Sequence, residues 1–457
     1  MEYTQIFDLI IIGGGPGGYH AANVAAKAGL SVALFEENSL GGVCLSEGCI
    51  PSKAILKSAK IFQCASHARE YGVNVEAFTI DQKSVVARKN SVVSKLVMGV
   101  RGNLRKNKVK LFFSHADIVN CNEGFCVLSQ EKYYRSTSLI IATGSKVFIP
   151  NIEGLNDWFK SGKAVTSKQI LNLECIPDEL VVVGGGIIGI EMACYFASCN
   201  SKVTVIEFTD KICGNCDSEA SAVLLDNLQK IGIEFKLNSR VVQFTNDGIV
   251  YEQKGEKSLL NCSLCLISTG RKPNTDGFNL QALSPKTTKN GAIECDERMQ
   301  TSIDNLYAIG DVNGKSMLAH TAYREAEVCV NNIINKRDLM DYTCIPSAVY
   351  STPEAAWVGE SEQSATEKGL DFTVKKLPMT YSGRFVAENT QASGICKVLI
   401  DNQSGIIIGG AIVSDYASEI ITVLSNVVAL KLTVEQVNKL VFPHPTVCEI
   451  IKDVINV

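Results

Sequence analysis

Short apolar runs recur along the chain, and most of them stop at glycine or at an acid. Asp8 to Ile12 reads as a buried strand. Gly13-Gly14-Gly15-Pro16-Gly17-Gly18 then forms a turn, and the alanine-rich stretch Tyr19 to Ala28 continues as a helix. A second strand, Ser31 to Phe35, ends at Glu36. The same order returns later. Leu180 to Val183 is a strand, Gly184 to Gly189 a glycine turn, Ile190 to Ser198 a helix, and Lys202 to Ile206 a strand that ends at Glu207. Two further strands end in similar tight turns, Leu139 to Ile141 in Ala142-Thr143-Gly144-Ser145 and Leu266-Ile267 in Ser268-Thr269-Gly270-Arg271. Leu306 to Ile309 is another apolar strand, with Gly310-Asp311 at its carboxyl end. From Pro346 the pattern changes. Strand-like runs at Cys396–Ile400 and Ile406–Val413 alternate with turns, and amphipathic helices are predicted over Glu419–Leu430 and Val434–Leu440.

The glycines have chemistry attached to their spacing. Gly13, Gly15 and Gly18 fit G-x-G-x-x-G, and Gly184, Gly186 and Gly189 fit it again. The first glycine lets the chain turn, the second lets backbone approach a pyrophosphate, and the third packs helix on strand. The pyrophosphate then rests on a helix N-terminus, where free N–H groups and the dipole favour an anion. In both copies an acid stands 23 residues beyond the first glycine, Glu36 and Glu207, where it can accept from ribose hydroxyls. One such motif is weak, because glycine turns are common. Two copies in the same strand–turn–helix context are strong, and the chain is expected to bind two nucleotide cofactors. The expected class is therefore α/β, with two Rossmann-like dinucleotide-binding domains and a C-terminal α+β domain. Asp311, at a strand's carboxyl end, stands where doubly wound sheets hold ligands, with a helix cap as the plain alternative.

Composition narrows the classes. At 457 residues the chain has room for about three domains. It is 46% hydrophobic and 20% charged, an ordinary soluble balance. With 44 basic and 48 acidic residues the net charge is −4, which argues against nucleic-acid partners. No apolar run approaches the ~18–20 residues of a membrane span; Gly405 to Val413 is too short. The first strand begins so close to the N-terminus that no cleaved targeting segment is expected, and a cytoplasmic location follows as the expectation. In that setting most of the 17 cysteines should be reduced thiols that pack as small hydrophobes. Two C-x-x-C pairs, Cys213/Cys216 and Cys262/Cys265, lie 46 residues apart, beyond the ~15–20 typical of paired zinc ligands. The second pair falls in an apparent strand, where its side chains would face opposite ways. No metal site is expected.

Another cysteine pair follows the first nucleotide unit directly, in Gly41-Gly42-Val43-Cys44-Leu45-Ser46-Glu47-Gly48-Cys49-Ile50-Pro51-Ser52-Lys53. A disulfide needs Cα atoms about 4.4–6.8 Å apart. Five residues of regular helix already rise about 7.5 Å, so the segment must be distorted, and Gly48 would permit it. A thiol near a helix N-terminus and a lysine is nucleophilic. Taken alone, C-x4-C more often marks two buried, unpaired thiols. The whole stretch, however, resembles the redox signature of the pyridine nucleotide–disulfide oxidoreductase family, G-G-T/V-C-x4-G-C-I-P-S-K, at every fixed position. The family's A-I-G-D segment, Ala308 to Asp311, follows, as does its H-P-T-x-x-E, His444 to Glu449. The resemblance covers essentially the whole chain.

That resemblance implies a set of roles. Residues 1–149 and 272–342 would form the FAD-binding part, 150–271 the NAD-binding domain, and 343–457 an interface domain for dimerisation. Cys44 and Cys49 would form the redox disulfide, with Cys44 exchanging with the substrate dithiol and Cys49 facing the flavin. A lone His is more often structural, but Glu449 five residues after His444 could hold its imidazole in one tautomer. By the resemblance His444 is the general base, oriented by Glu449, and it reaches the disulfide of the other subunit in an obligate homodimer. Lys53 would lie by the flavin, with Glu191 as its partner. Ala116, Thr143, Gly144, Ser145 and Asp311 would contact FAD, and Met317-Leu318-Ala319-His320 would open a helix facing the flavin. Glu207, Val241 and Gly270 would line the NAD site.

Cofactor choice is also legible. No arginine follows Glu207 until Arg240, so nothing is placed to hold a 2′-phosphate, and NAD is favoured over NADP. This counts against a glutathione-reductase-like activity, the alternative. Within the family the chain is most similar to the branch that reoxidises protein-bound dihydrolipoamide, passing electrons through the disulfide and FAD to NAD+ to give NADH. Tyr350-Ser351-Thr352-Pro353-Glu354 and Trp357-Val358-Gly359 support that branch. Its partners would be lipoyl-bearing subunits of 2-oxo acid dehydrogenase or glycine cleavage complexes. Two departures stand out: Ser46-Glu47 adds a negative charge inside the redox loop, and Phe442-Pro443 precedes His444.

Overall fold

The predicted strands and helices recur in the structure, a computed structural model that describes residues 3–389 and 393–457. The chain divides into two compact units.

The first unit takes the chain up to Ala54, then Ala87–Phe148 and Gly270–Asp341. Its sheet runs in the order Lys110–Phe112, Val32–Phe35, Gln5–Ile12, Lys132–Ile141, Phe125–Ser129, Asp117–Val119, with Leu306–Ala308 paired to Lys132–Ile141. The parallel register sets Leu9 opposite Val32, Ile12 opposite Ile141 and Tyr307 opposite Ile140. Leu9, Ile10, Ile11, Leu139 and Ile140 are fully buried, as parallel strands covered on both faces require. The glycine turn feeds the helix Pro16–Lys27, where Pro16 sits in the first turn and costs no hydrogen bond.

The second unit comprises Ile55–Val86, Ile149–Thr269 and Tyr342–Val457. Its parallel sheet has the order Glu234–Lys236, Lys202–Ile206, Glu179–Val183, Leu264–Ile267, Ala164–Thr166. A three-stranded antiparallel sheet, Ser239–Phe244, Ile249–Gln253 and Glu256–Leu260, follows in sequence. The C-terminal segment builds a five-stranded antiparallel sheet, Ser347–Val349, Glu354–Gly359, Ile407–Ser414, Ile395–Asp401, Phe372–Pro378, with the helix Ala417–Ala429 among its core elements. Within this unit Lys397 is buried, yet its Nζ lies 3.0 Å from both carboxylate oxygens of Asp217 and 3.3 Å from Glu219, and it also pairs with Glu362. Burial opposes the charge, but Glu362 and Asp217 outweigh it and hold this lysine above its ordinary pKa.

Two sequence expectations need correction. Gly48 has no left-handed backbone; the positive φ angles belong to Gly41 (99°) and Gly42 (58°). Gly48 is favoured by close packing instead, since a Cβ there would lie 3.1 Å from the Val43 carbonyl oxygen, which would have to give by a few tenths of an ångström. Cys262 lies ahead of the strand Leu264–Ile267, not in it. Among the described residues no helix is long and apolar enough to cross a membrane, and no three His, Cys, Asp or Glu side chains converge as a metal cluster.

Candidate active site

The two glycine loops are built alike. Gly13 (φ 105°) and Gly184 (φ 106°) turn where a Cβ would strike the carbonyl oxygens of Ala142 and Ser268, at 2.3 and 2.5 Å. Gly18 and Gly189 pack the following helix on the loop: a Cβ would lie 1.8 Å from Gly13 O and 2.1 Å from Gly184 O. At the middle glycine the space is open. A Cβ on Gly186 would meet nothing within 4 Å, and one on Gly15 only Gly42 Cα at 3.9 Å. Helices Pro16–Lys27 and Ile187–Ser198 both start at these glycines with no side-chain cap and no acid in the first turn. Their N-terminal N–H groups therefore lack protein side-chain acceptors, which fits them to the pyrophosphates of FAD and NAD.

The acids do more than the sequence indicates. Gly14 N–H donates to Glu36 Oε2 at 2.7 Å and Asn38 N–H to Glu36 Oε1 at 2.7 Å. Gly185 N–H donates to Glu207 Oε2 at 2.5 Å, and Thr209 donates to Glu207 Oε1 through N–H (2.8 Å) and Oγ1 (2.7 Å). Each carboxylate locks its own glycine loop; Glu207 Oε1 already accepts twice, but Glu207 Oε2 keeps a lone pair for a ribose hydroxyl. Burial raises the Glu36 pKa, against the backbone N–H bonds that favour its charge. Glu36 lines a cavity of about 190 Å3 with Gly13, Ala116, Thr143, Asn274 and Phe278. A rim residue that the sequence did not single out is His115, held by Glu37 Oε2 at 2.6 Å and Asp117 Oδ1 at 3.2 Å, the Glu37 bond chiefly raising its pKa.

The redox segment is stitched to the first glycine loop. Gly41 N–H donates to Gly14 O at 2.8 Å, and a Cβ on Gly42 would lie 2.7 Å from Gly15 Cα. A short helix, Gly42–Ser46, stops at Glu47, and the helix Cys49–Ser66 starts afresh at Cys49. This break supplies the distortion that the five-residue spacing demands. Cys49 is exposed at the head of an 18-residue helix, and Cys44 is half-buried. The structure shows them as two thiols rather than as the expected disulfide. A hydrogen bond with Cys49, then burial, push the Cys44 thiol far above its usual pKa, while Lys53 pulls it down.

Around this pair the same unit brings together segments distant in sequence. Ser145 Oγ donates to Asp311, and Arg271 donates to Ser145 through Nε to Oγ and through its terminal nitrogen to the carbonyl, both at 2.7 Å. Asp311 is raised by burial, with Ser145 and Arg271 opposing. Arg271 was not among the candidate residues; its signal was T-G-R after a buried strand. Glu325, also missed, is fully buried and accepts from Gly310 N–H (2.6 Å) and Asn313 Nδ2 (3.0 Å), fixing the turn that carries Asp311. Thr143 Oγ1 donates to Asn274 O at 2.6 Å, and Asn274 N–H to Gly144 O at 2.9 Å. Leu318 caps the helix Ala319–Ile333, so Met317, Leu318, Ala319 and His320 do sit at a helix start.

In the second unit Glu191 is buried and accepts from Tyr350 N–H at 3.2 Å. Val241 is buried on Ser239–Phe244, at a break in that strand's pairing. Gly270, with φ 114°, opens the stretch that returns the chain to the first unit. His444 Nδ1 lies 3.0 Å from Glu449 Oε1, and Thr446 N–H donates to Glu449 Oε2 at 2.7 Å. These bonds, the Thr446 one first, lower the Glu449 pKa. The His444 side chain is 83% exposed in the single chain. Cys213, Cys216 and Cys265 are buried, and burial raises their pKa values, which makes them inert packing thiols.

Comparison with known proteins agrees with this geometry. Residues 7–326 match the pyridine nucleotide-disulphide oxidoreductase family and residues 345–455 its dimerisation domain. Dihydrolipoyl dehydrogenase of Mycoplasma genitalium is 36% identical over 98% of this chain and 97% of its own length. Dihydrolipoyl dehydrogenase of Geobacillus stearothermophilus is 36% identical, covering 97% and 94%. Among solved structures, the Cu(II) complex of the HOCl-induced flavoprotein disulfide reductase RclA of Escherichia coli matches with TM-score 0.86 and 26% identity over 100% of this chain and 99% of that one. LpdA of Mycobacterium tuberculosis, at 22% identity and TM-score 0.88 over 99% of each chain, shows the shared fold. With its two nucleotide loops, its dithiol and its dimerisation domain, the chain belongs to the pyridine nucleotide-disulphide oxidoreductase family, whose members work with FAD and a pyridine nucleotide.

Proposed function

We propose that this chain is a dihydrolipoyl dehydrogenase that oxidises dihydrolipoyl groups carried by subunits of 2-oxo acid dehydrogenase or glycine cleavage complexes, as a cytoplasmic homodimer with NAD+ as acceptor. The reading is carried by one observation: a dithiol at the head of a long helix is seated on the first glycine loop, in a chain whose full-length relatives bear that name. Residues 1–149 and 272–342 hold FAD, 150–271 hold NAD, and 343–457 pair the subunits.

In the oxidised form His444 Nε2 takes the proton of a substrate thiol while Glu449 steadies Nδ1–H. The substrate thiolate bonds to Cys44 Sγ, the Cys44–Cys49 bond breaks, and its electron pair leaves on Cys49. The second substrate thiol attacks the mixed disulfide and releases Cys44, closing the substrate's own disulfide. FAD, when bound, supplies the two-electron route from the dithiol to NAD+. Lys53 and the helix N-terminus hold negative charge at Cys49, and Arg271 with Ser145 orients Asp311 toward the cofactor.

Purified protein is expected to turn over dihydrolipoamide with NAD+ and to leave glutathione disulfide with NADPH almost untouched. The reverse preference would assign the glutathione-reductase-like alternative. Glu207 sets the nucleotide part of that choice. Glu207→Ala loses charge-assisted bonds worth about 1.5–3 kcal/mol each, so KM for NAD+ should rise roughly tenfold or more. An unchanged KM would remove Glu207 from the NAD site.

A further inference from the structure

Cys121 and Cys126 repeat the five-residue spacing of the redox pair, in a different place and with a different environment. They are joined as a disulfide in the structure, with Cα atoms 5.9 Å apart. The pair closes the turn between the antiparallel strands Asp117–Val119 and Phe125–Ser129, where Val119 is paired with Cys126. Cys126 is fully buried, and Cys121 is half-buried in the turn.

The bond is not needed to shape this hairpin. Three residue pairs already close it, and Gly124 (φ 68°) fits where a Cβ would lie 2.3 Å from Ser136 O. A disulfide constrains the unfolded chain more as the loop it closes grows, and this one spans five residues. The reduced state is accommodated too. Cys121 Sγ lies 3.4 Å from Glu123 O and 3.5 Å from Gly124 O, so a thiol there has carbonyl acceptors at hand once it swings away from Cys126. A bond that contributes less to folding than one closing a long loop, with acceptors beside its outer sulfur and that sulfur within reach of solvent, has the properties of an exchangeable one.

The hairpin also has something to report to. Asp117 follows Ser114, His115 and Ala116, which line the cavity beside Glu36. Ile118 N–H donates to Phe278 O at 3.0 Å and Asn279 Nδ2 donates to Ile118 O at 2.7 Å, and Phe278 lines the same cavity.

We propose that Cys121 and Cys126 form a second thiol–disulfide exchange site, separate from Cys44 and Cys49, which takes small-molecule thiols and disulfides and sets how firmly the hairpin closes the Glu36 cavity on FAD. In reduction, a small thiolate bonds to Cys121 Sγ, and the Cys121–Cys126 bond breaks with its electron pair leaving on Cys126, which takes a proton. A second thiol then attacks the small molecule's sulfur in the mixed disulfide and frees Cys121. Two small thiols thus become one small disulfide, and the protein disulfide becomes two thiols. Oxidation by a small disulfide runs the same steps backwards.

The test uses the FAD-loaded full chain, equilibrated at graded ratios of reduced to oxidised glutathione, acid-quenched and alkylated. The mass of the peptide carrying both cysteines gives the state of the pair, and FAD release after dilution is timed in parallel. The pair is expected to pass reversibly between doubly alkylated and unlabelled, with FAD leaving severalfold faster from the reduced form. Cys121→Ser should release FAD at the reduced-form rate at every ratio. Two labelled thiols at all ratios, or an unlabelled pair at all ratios, would overturn the exchange site. Equal FAD release from both forms would overturn its link to the cavity.

Discussion

Replacing Cys44 by Ser is expected to abolish dihydrolipoamide turnover, by about a thousandfold or more, while FAD stays bound. The size of the effect follows from the chemistry: a serine hydroxyl cannot form the mixed disulfide, so no slower version of the same route exists. FAD retention follows from geometry. The cradle proposed for it is Gly13, Gly15, Gly18, Glu36 and the Ser145–Asp311–Arg271 set, whose bonds, Gly14 N–H to Glu36, Ser145 to Asp311 and Arg271 to Ser145, run without the Cys44 side chain. An absorption spectrum with stoichiometric flavin and no turnover confirms the assignment. Near wild-type turnover would remove Cys44 from the exchange step.

Mixed dimers carry the second large expectation. His444 and Glu449 form an intact pair, but the imidazole projects with 83% of its side chain exposed. A general base needs a confined site, and a second copy of the chain would supply one, since residues 345–455 match a dimerisation domain. Cys49→Ser and His444→Gln subunits are each inactive as homodimers on this account. Co-expressed, they form a dimer in which one site has both wild-type cysteines and a wild-type His444 from opposite chains. That dimer should reach about half the activity of the wild-type dimer, one of its two sites being whole. Mixed dimers as inactive as their parents, though dimeric and flavin-loaded, would place His444 outside the partner's site.

The nucleotide loops were readable from sequence because glycine is physically required there: any side chain at Gly13, Gly18, Gly184 or Gly189 meets backbone oxygen within 2.5 Å. The dithiol and His444–Glu449 were readable because each is local, five residues apart in both cases. What was not legible depends on segments that meet only after folding. Arg271 and Asp311 reach Ser145 across 126 and 166 residues, and Lys397 finds Asp217 across 180. A lysine in the strand Ile395–Asp401 looks like a surface residue until those carboxylates surround it. The 25-residue helix Gln82–Lys106 escaped notice for another reason. It leaves Leu96 and Met98 exposed, so no clean apolar stripe marks it in the sequence. Most cysteines are free, as expected, but which two would bond at Cys121–Cys126 was not legible, since composition alone says nothing about which thiols are neighbours.

The central claim is that the Cys44–Cys49 pair carries the electrons between a dithiol substrate and NAD+. Thiol trapping under anaerobic conditions tests it most directly. The FAD-loaded protein is alkylated as prepared, after one equivalent of dihydrolipoamide, and after dihydrolipoamide followed by NAD+, and Cys44 and Cys49 are quantified by peptide mass. The account predicts no labelling of the oxidised pair, labelling of Cys44 and Cys49 after the substrate, and protection of both again after NAD+ with one NADH formed per site. Labelling that ignores the substrate, or NADH formed while the pair stays oxidised throughout, would contradict it.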